Sequence, residues 1–328
     1  MSLVSTSLTS LKMERSRPPR VVAITGAAGY IGRRLLERLA AEDGIERIVA
    51  TDIRPLGDTP SKVTFLQQEI TQPLGDAFRE HGVEAVVHLA FVLRQSRQRD
   101  ESHRVNVDGT ANVLQACHDA GVRRIVQLSS ATVYGPHADN PPLLTEEHPM
   151  RPPYAYQYAW DKAECERLIE AYVVDHPDTD VSVLRGSVVM GPSARNFITS
   201  ALFKPLLVGI RGCDPPMQFI HEEDLVELLW RFVAEPHPGI YNVAGRESVR
   251  WSELARMAGR RFVWLPAPLI YGVTELTWRL HLQNDSPSVG LDFVRWPWMV
   301  STERVEQETS YRCKFTSEEA LRSFLDTH

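Results

Sequence analysis

The stretch VVAITGAAGYIGRRL, residues 21–35, decides the fold of this chain. Its β-branched run predicts a strand, and Gly26, Gly29 and Gly32 follow that run at the start of a helical pattern. In such a turn the first glycine permits a tight bend, the second lets the backbone approach a pyrophosphate, and the third lets helix and strand pack closely. A helix beginning near Tyr30 would point its free N–H groups and positive dipole end at that pyrophosphate. The stretch therefore predicts a dinucleotide-binding turn.

An acidic residue follows at the distance that such a turn requires. Asp52 ends the second predicted strand, RIVATD, 20 residues after Gly32. A carboxylate there accepts hydrogen bonds from both ribose hydroxyls of the adenosine and repels a 2′-phosphate, so NAD is favoured as the cofactor. NADP stays open as the less favoured alternative, because the Arg54 guanidinium could hold that phosphate.

Short apolar runs alternate with helical stretches throughout residues 20–186. Strands that are buried on both faces and joined by helices form parallel sheets with right-handed crossovers. We therefore predict an α/β fold, a doubly wound (Rossmann) parallel sheet, for this NAD-binding domain. The predicted strands are RVVAIT, RIVATD, KVTFLQ, EAVVHLA, RRIVQLSS and VSVLRGS, with amphipathic segments such as YIGRRLLERLAAED and VDGTANVLQACHDAG between them.

The pattern changes after residue 186, where Pro and Gly become as frequent as in loops. We expect residues 187–328 to form mainly a smaller C-terminal substrate lobe, with a segment at about 219–245 returning to the Rossmann domain. Helices are predicted at about 222–234, 251–259 and 316–326. The Ser/Thr-rich residues 1–19 are expected to be a flexible N-terminal extension without a signal peptide, with Met13 as an alternative start.

Composition narrows the function class. The chain has 328 residues, 43% of them hydrophobic, and a formal charge of −6, which argues for a packed globule without a nucleic-acid-binding face. The four cysteines lie far apart, so neither a disulfide framework nor a metal site is expected. No apolar run approaches the length of a bilayer span. We expect a cytoplasmic protein with a small-molecule substrate and no nucleic-acid or membrane partner.

The stretch AYQYAWDKAECE, residues 155–166, places Tyr158 and Lys162 four residues apart, on one face of a helix. Chance is a real alternative, since such a pair arises by accident in roughly one such chain in seven. A base near neutrality needs the pKa of a phenol lowered by roughly 3 units, about 4 kcal/mol. A cation about 4 Å away supplies about that much at an effective dielectric of about 20, whereas burial acts in the opposite direction. Both the Lys162 ammonium and the charge of an oxidised nicotinamide are therefore expected to be needed.

Several motifs occur together and in order. TGAAGYIG, SSATVYG and Tyr158-x-x-x-Lys162 are joined by VHLAF, VNVDGTANVLQAC and QFIHEEDLVELL. With these motifs the chain resembles the extended short-chain dehydrogenase/reductase family, in its NAD-dependent epimerase/dehydratase group. The last three stretches are similar to the patterns HLAA, NVxGTxNxLxA and DFIHVDDVAEA of that family.

This resemblance implies the roles of the site residues. Tyr158 would be the catalytic base or acid, Lys162 its partner, and Ser130 the hydrogen-bond partner of the substrate hydroxyl. Asn106 would be a structural member on the cofactor side. Substrate contacts are expected from Ser130, Thr132, Asn196 and Arg195. Cofactor contacts are expected from Gly26, Gly29, Tyr30, Ile31, Gly32, Asp52, Ile53, Arg54, Glu69, Ile70, Leu89, Ala90, Phe91, Asn106, Tyr158, Lys162, Gly186 and Val188. Homodimers are implied through helices at about 103–120 and 154–175.

Departures from the family pattern bear on the reaction. The sugar 4,6-dehydratases of the family carry an acidic pair after the serine, whereas Ala131 and Thr132 stand here, so dehydration is not expected. The arginine that often precedes DFIH and holds a diphosphate is replaced by Met217. A buried diphosphate needs cations, for which Arg195, Arg211 or Arg304 are alternatives.

Three functions stay open at this point. The first is an NAD-dependent epimerase acting on a nucleotide-activated sugar. The second is an alcohol/carbonyl dehydrogenase or reductase acting on a small non-nucleotide substrate. The third is a cofactor-binding sensor without turnover, against which the intact set of Ser130, Tyr158 and Lys162 argues.

Overall fold

The computed structural model describes residues 17–93, 99–283 and 285–328. Most of the predicted N-terminal extension, residues 1–19, lies outside the described residues. The strands are β1 (Val21–Thr25), β2 (Arg47–Asp52), β3 (Val63–Gln67), β4 (Ala85–His88), β5 (Arg124–Ser130), β6 (Asp180–Gly186), β7 (Val188–Met190), β8 (Leu206–Ile210), β9 (Pro216–Met217), β10 (Phe219–His221), β11 (Gly239–Val243), β12 (Val249–Arg250) and β13 (Arg261–Leu265).

Helices separate most of these strands. A π-helical turn covers Arg104–Asp108, and 3₁₀ segments cover Ala131–Tyr134 and Ser288–Val294. The α-helices are α1 (Tyr30–Ala40), α2 (Gly75–His81), α3 (Arg99–His103), α4 (Gly109–Ala120), α5 (Gln157–Asp175), α6 (Phe197–Leu202), α7 (Glu222–Ala234), α8 (Trp251–Met257), α9 (Ala267–Arg279), α10 (Glu303–Thr309) and α11 (Ser317–Leu325).

Seven strands form one sheet in the order β3-β2-β1-β4-β5-β6-β11, and every neighbouring pair is parallel. The predicted doubly wound (Rossmann) sheet is confirmed, and all six predicted strands belong to it. The strand order reverses between β1 and β4. Open α/β sheets bind their ligands outside the carboxyl ends of the strands at such a point.

The two faces of the sheet are covered by different helices, because successive side chains of a strand point to opposite faces. Ile24 of β1 belongs to a buried cluster with α1 and α7, whereas Ala23 belongs to one with α2, α4 and α5. Both residues have no exposed surface. Burial on both faces explains why the strands of this sheet are rich in Val and Ile.

The segments after β6 form three two-stranded pairings, β7 with β10, β9 with β12, and β8 with β13. Their core contains Ile198 of α6, Leu254 of α8 and Phe324 of α11. β11 joins the main sheet, and α7 packs against α1. The division into domains at residue 186 stays a prediction, as does the homodimer. Within the described residues, no helix is both long and apolar enough to span a membrane.

Candidate active site

The glycine turn between β1 and α1 is fixed by close backbone approach. Gly26 has φ +73°, and a Cβ there would lie 2.6 Å from the backbone nitrogen of Ala90, two residues after β4. A Cβ on Gly32 would lie 2.2 Å from the carbonyl oxygen of Gly26. Residues other than glycine rarely adopt such a φ, and a Cβ cannot lie this close to a backbone nitrogen or oxygen atom. A Cβ on Gly29 would lie 2.9 Å from the same carbonyl oxygen of Gly26, so the turn itself requires all three glycines.

The start of α1 fits the pyrophosphate of a dinucleotide. Gly29 caps the helix without a side-chain hydrogen bond, so the first N–H groups, beginning at Tyr30 and Ile31, have no capping partner. These are the groups that every helix start leaves without an intrahelical acceptor. With no Cβ on Gly29 and the positive end of the helix dipole behind it, the turn can hold an anionic cofactor.

Asp52 connects this turn to β2. Its carboxylate accepts hydrogen bonds from the backbone N–H groups of Ala28 and Arg54, both at 2.9 Å. The Arg54 guanidinium is largely exposed and lies 3.5 Å from Asp52 Oδ1. The buried carboxylate therefore holds the glycine turn as well as being the predicted ribose acceptor, and that second role stays a prediction.

His88, at the end of β4, links three elements behind the turn. Its Nδ1 lies 2.6 Å from Thr25 Oγ1, and its Nε2 lies 3.0 Å from Thr110 Oγ1. Because the Thr110 hydroxyl donates to the carbonyl of Asn106 at 2.6 Å, we assign the proton of His88 to Nε2 and the hydroxyl proton of Thr25 to the bond with Nδ1. Burial lowers the pKa of His88 to about 3, so the imidazole is neutral.

Asn106 lies in the π-helical turn and is almost fully buried. Its Oδ1 accepts a hydrogen bond from the backbone N–H of Val92 at 2.7 Å, and its Nδ2 donates to Asp161 Oδ2 at 3.0 Å. Asp161 also accepts from Gln157 and pairs with His103. Sequence reasoning identified Asn106 but missed Asp161. The signal that could have shown it is the position of this carboxylate directly before the predicted Lys162. Asn106 thus holds the segment after β4 in place.

Ser130 ends β5 with 7% of its surface exposed. Its Oγ accepts hydrogen bonds from the Thr132 backbone N–H at 3.2 Å and from the Thr132 hydroxyl at 2.9 Å. A hydroxyl oxygen accepts at most two such bonds, so the proton of Ser130 stays available for donation. Thr132 is buried and orients Ser130. Its predicted contact with substrate stays a prediction.

Tyr158 and Lys162 meet around the ring of Phe91. The Tyr158 and Phe91 rings pack edge to face with centroids 5.5 Å apart. The Lys162 ammonium lies 3.7 Å from the centroid of the Phe91 ring and donates a hydrogen bond to the Leu128 carbonyl at 2.7 Å. The structure thus brings the predicted pair to the carboxyl end of β4, with the ammonium on the aromatic face.

Burial shifts both pKa values against the charged forms. It raises the pKa of Tyr158, which the nearby Ser130 hydroxyl opposes, and it lowers the pKa of Lys162 to about 8. The protein groups alone therefore leave the Tyr158 phenol protonated at neutral pH. The expected contribution of an oxidised nicotinamide to lowering the pKa of Tyr158 stays a prediction.

A buried ion pair supports the strand end below this site. Glu166 of α5 and Arg185 of β6 are paired at 2.6 Å, with side chains 1% and 3% exposed. Ser129 donates to Glu166, and Arg185 donates to the Tyr134 hydroxyl at 2.8 Å. Removing one member would leave an uncompensated buried charge, which is strongly destabilising. Sequence reasoning did not identify this network, which fixes β5, β6 and α5 relative to one another.

The other predicted cofactor residues lie around the same edge. Ile53 is 62% exposed beside Asp52, and Glu69 pairs with Arg104 at 2.8 Å. Ile70 is buried against Gly109, where a Cβ would lie 2.6 Å from its side chain. Leu89 and Ala90 follow β4, Gly186 ends β6, and Val188 begins β7. Their contacts with cofactor stay predictions.

The predicted substrate residues are spread over a larger part of the structure than the predicted cofactor residues. Asn196 is the cap of α6: its Oδ1 accepts from the Thr199 N–H at 3.0 Å, and its Nδ2 donates to the Val189 carbonyl at 2.7 Å. Arg195 is exposed. Met217 is buried in the lobe core, where it offers no cation.

Of the alternative cations, Arg211 borders an open cavity of about 550 Å³ with Arg250 and Trp264. Arg304 lies beside Gly239, at the beginning of β11. This position is at the amino ends of the parallel strands, whereas Ser130 is at their carboxyl ends. The expectation that Arg304 could serve as a substrate cation is therefore wrong.

Several known proteins are similar to this chain. An uncharacterized protein of Mycobacterium tuberculosis is 28% identical over 320 residues, covering 95% of this chain and 85% of the relative. The 3 beta-hydroxysteroid dehydrogenase/Delta 5-->4-isomerase of vaccinia virus is 28% identical over 158 residues, covering 45% of each chain. Among solved structures, MoeE5 in complex with UDP-glucose and NAD is 25% identical, with a TM-score of 0.74 over 93% of this chain and 97% of that chain.

A family model also matches this chain, over about two thirds of its length. The description "NAD dependent epimerase/dehydratase family" fits residues 22–244, which run from β1 to the end of β11. That range includes the glycine turn, Ser130, Tyr158 and Lys162. This chain therefore belongs to the NAD-dependent epimerase/dehydratase family, and its cofactor is NAD.

Proposed function

We propose that this enzyme is an NAD-dependent epimerase that acts on a nucleotide-activated sugar with Tyr158 as its base. The observation that carries the proposal is the hydroxyl of Ser130, which is held by Thr132 with its own proton available, next to the Tyr158 phenol. The positions that follow Ser130 carry no acid to expel water, since Ala131 and Thr132 stand there and neither is acidic. This arrangement suits oxidation and reduction at one carbon and does not suit dehydration.

The residues of the chain would divide the work as follows. Ser130 donates a hydrogen bond to the oxygen of the substrate carbinol, and Tyr158 takes the proton of that hydroxyl as a carbonyl forms. NAD, which the glycine turn and Lys162 would hold, would supply the hydride chemistry at the carbinol carbon. Tyr158 then returns the proton to the same oxygen. If the carbonyl intermediate rotates in the site before the hydride returns, the hydride adds to its opposite face. The configuration at that carbon is then inverted, and no net NADH is formed.

Likeness to MoeE5, solved with UDP-glucose and NAD, supports a nucleotide-activated sugar. A diphosphate needs cations, preferably with bidentate geometry. Arg211 and Arg250, which border the same cavity, are the basic side chains we assign to this task, with exposed Arg195 as a further candidate.

A second function, an NAD-dependent dehydrogenase or reductase acting on a small non-nucleotide substrate, is favoured by two observations. Met217 is buried where the family pattern often has an arginine. The vaccinia relative is a hydroxysteroid dehydrogenase/isomerase, although its similarity covers only 45% of this chain. Such an enzyme would consume cofactor with each turnover.

The test separates the two functions by what happens to the cofactor. We would identify the nucleotide retained after purification by mass spectrometry, then incubate the protein with UDP-glucose, UDP-glucuronic acid and dTDP-glucose. An epimerase gives a product inverted at one carbon, detected by proton NMR, without net NADH absorbance. Steady NADH formation from apolar alcohols, together with no conversion of any sugar nucleotide, would contradict the epimerase and support the second function. Tyr158→Phe is the inactive control for both.

A further inference from the structure

Glu222, the first residue of α7, is a buried charge that the reaction above does not use. None of its surface is exposed. An ionised carboxylate is costly to bury unless it is paired and hydrogen-bonded. The stretch QFIHEEDLVELL resembles the pattern DFIHVDDVAEA, which has Val at this position. The carboxylate is thus a departure from that pattern.

The partners of Glu222 come from two other parts of the chain. Its Oε2 accepts a hydrogen bond from the Tyr30 hydroxyl and one from the backbone N–H of Ser193, the latter at 3.3 Å. Its Oε1 pairs with the guanidinium of Arg34. Arg34 in turn donates to the Ser193 hydroxyl at 3.0 Å. One carboxylate therefore joins α1, the loop after β7 and α7.

The loop after β7 is pressed against this carboxylate. A Cβ on Gly191 would lie 2.5 Å from the carboxyl carbon of Glu222, and its φ of +149° is one that other residues rarely adopt. Burial raises the pKa of Tyr30, and the Glu222 carboxylate raises it further. The phenol therefore stays protonated and remains the donor in its bond to Glu222.

Two of the partners of Glu222, Tyr30 and Ser193, lie beside the predicted cofactor site and the predicted substrate site respectively. Tyr30 is the first residue of α1, beside Gly29 and the N–H groups that are predicted to bind the pyrophosphate. Ser193 is two residues before Arg195, in the segment that leads to the cap of α6. We propose that Glu222 is a positioning residue that couples the two: when NAD orders the start of α1, the Tyr30–Glu222 contact orders the loop at residues 191–196.

A second pair on the same helix offers a matched control. Asp224, two residues later in α7, is also fully buried and accepts a hydrogen bond from the Tyr311 hydroxyl at 2.7 Å. It also accepts from the backbone N–H groups of Lys314 and Phe315. This pair has the same chemistry, but it holds the segment before α11 and makes no contact with the glycine turn.

The test compares Tyr30→Phe with Tyr311→Phe. Each variant removes one donor from a buried carboxylate of α7, so we expect similar losses of thermal stability. Hydrogen–deuterium exchange is then measured for peptides covering residues 191–196, with and without saturating NAD. In the wild type and in Tyr311→Phe, NAD should slow exchange of this loop by about tenfold or more. In Tyr30→Phe the loop should gain little protection, and calorimetry should show NAD bound about fivefold more weakly.

The opposite results would overturn the proposal. It fails if saturating NAD protects residues 191–196 equally in Tyr30→Phe and the wild type, or if Tyr311→Phe loses the protection as well. It also fails if NAD does not protect this loop in the wild type. Glu222→Gln is a second test, because the amide keeps the volume and can still accept from Tyr30 while it loses the charge that pairs with Arg34. It should keep part of the NAD-dependent protection, between that of the wild type and that of Tyr30→Phe, whereas full or no protection would contradict the role of the carboxylate.

Discussion

The glycine turn at the cofactor end and the lobe at the substrate end differ in what fixes their shape. In the turn, backbone approaches backbone so closely that Gly26 and Gly32 tolerate no Cβ. In the lobe, short paired strands and a side-chain cap at Asn196 do this work. α9 and the residue that caps it expose an aliphatic stripe, with each member more than half exposed: Leu269, Val273, Leu276 and Leu280. A turn fixed by its backbone tolerates very few amino-acid sequences, whereas a lobe fixed by side chains tolerates many. The ligand can therefore be predicted from sequence at the cofactor end of the site but not at the substrate end.

The largest effect is expected from Tyr158, which lies between the cofactor end and the substrate end of the site. Tyr158→Phe removes the hydroxyl that moves the proton but keeps the ring that packs on Phe91. We expect the turnover rate to fall about 10³-fold, which is about 4 kcal/mol of barrier, with NAD affinity within about twofold of the wild type. Steady-state kinetics and calorimetry measure the two quantities. Normal turnover in this variant would falsify the role of the phenol.

The next largest effect is expected in the turn itself. Gly26→Ala forces a Cβ against Ala90 at a φ of +73°, so the free energy of unfolding should fall by about 3 kcal/mol and NAD binding should weaken severely. Gly44→Ala is the matched control, because a Cβ there would meet nothing within 4 Å. Chemical denaturation of both variants checks this. Equal stabilities would mean that the turn can relax and that its backbone is not the constraint.

Behind the turn, His88 predicts a pH dependence of stability. Its pKa is about 3 when folded and about 6.5 in the unfolded chain, so the unfolded state binds the proton first as the pH falls. The contribution is complete above about pH 6.5 and is lost on acidification, by about 2 kcal/mol between pH 7 and pH 5. Denaturant titrations should therefore show a shallower pH slope for His88→Gln than for the wild type. The exposed His281, replaced in the same way, should leave the slope unchanged.

The smallest expected effect belongs to the lobe and sharpens the comparison. Arg195→Ala should leave thermal stability and NAD affinity unchanged, because the side chain is exposed. If Arg195 contacts the diphosphate, the KM for a sugar nucleotide should rise about tenfold with kcat nearly constant. Kinetics on a substrate identified as described above decides this. An unchanged KM would leave Arg211 and Arg250 as the candidates for the diphosphate.

Much of the fold followed from local pattern. The runs that became β1–β6 are rich in Val and Ile because both faces of a parallel sheet are covered, and the helix predicted at 222–234 has those bounds in the structure. Gly121, which ends α4 with φ +67°, was also predictable, since only glycine adopts this conformation at no cost. The cofactor turn was predictable for the same reason.

The sequence by itself determined the doubly wound sheet and the glycine turn and favoured NAD over NADP, because periodicity, glycine conformation and the distance to Asp52 are encoded within a few dozen neighbouring residues. Only the tertiary structure decided how His88, Asp161 and Glu222 are used. Their partners lie far along the chain, Thr25 from His88 by 63 residues, Asn106 from Asp161 by 55, and Tyr30 from Glu222 by 192. Buried polar groups must find partners wherever the fold places them, and no local pattern states which distant residue will be there.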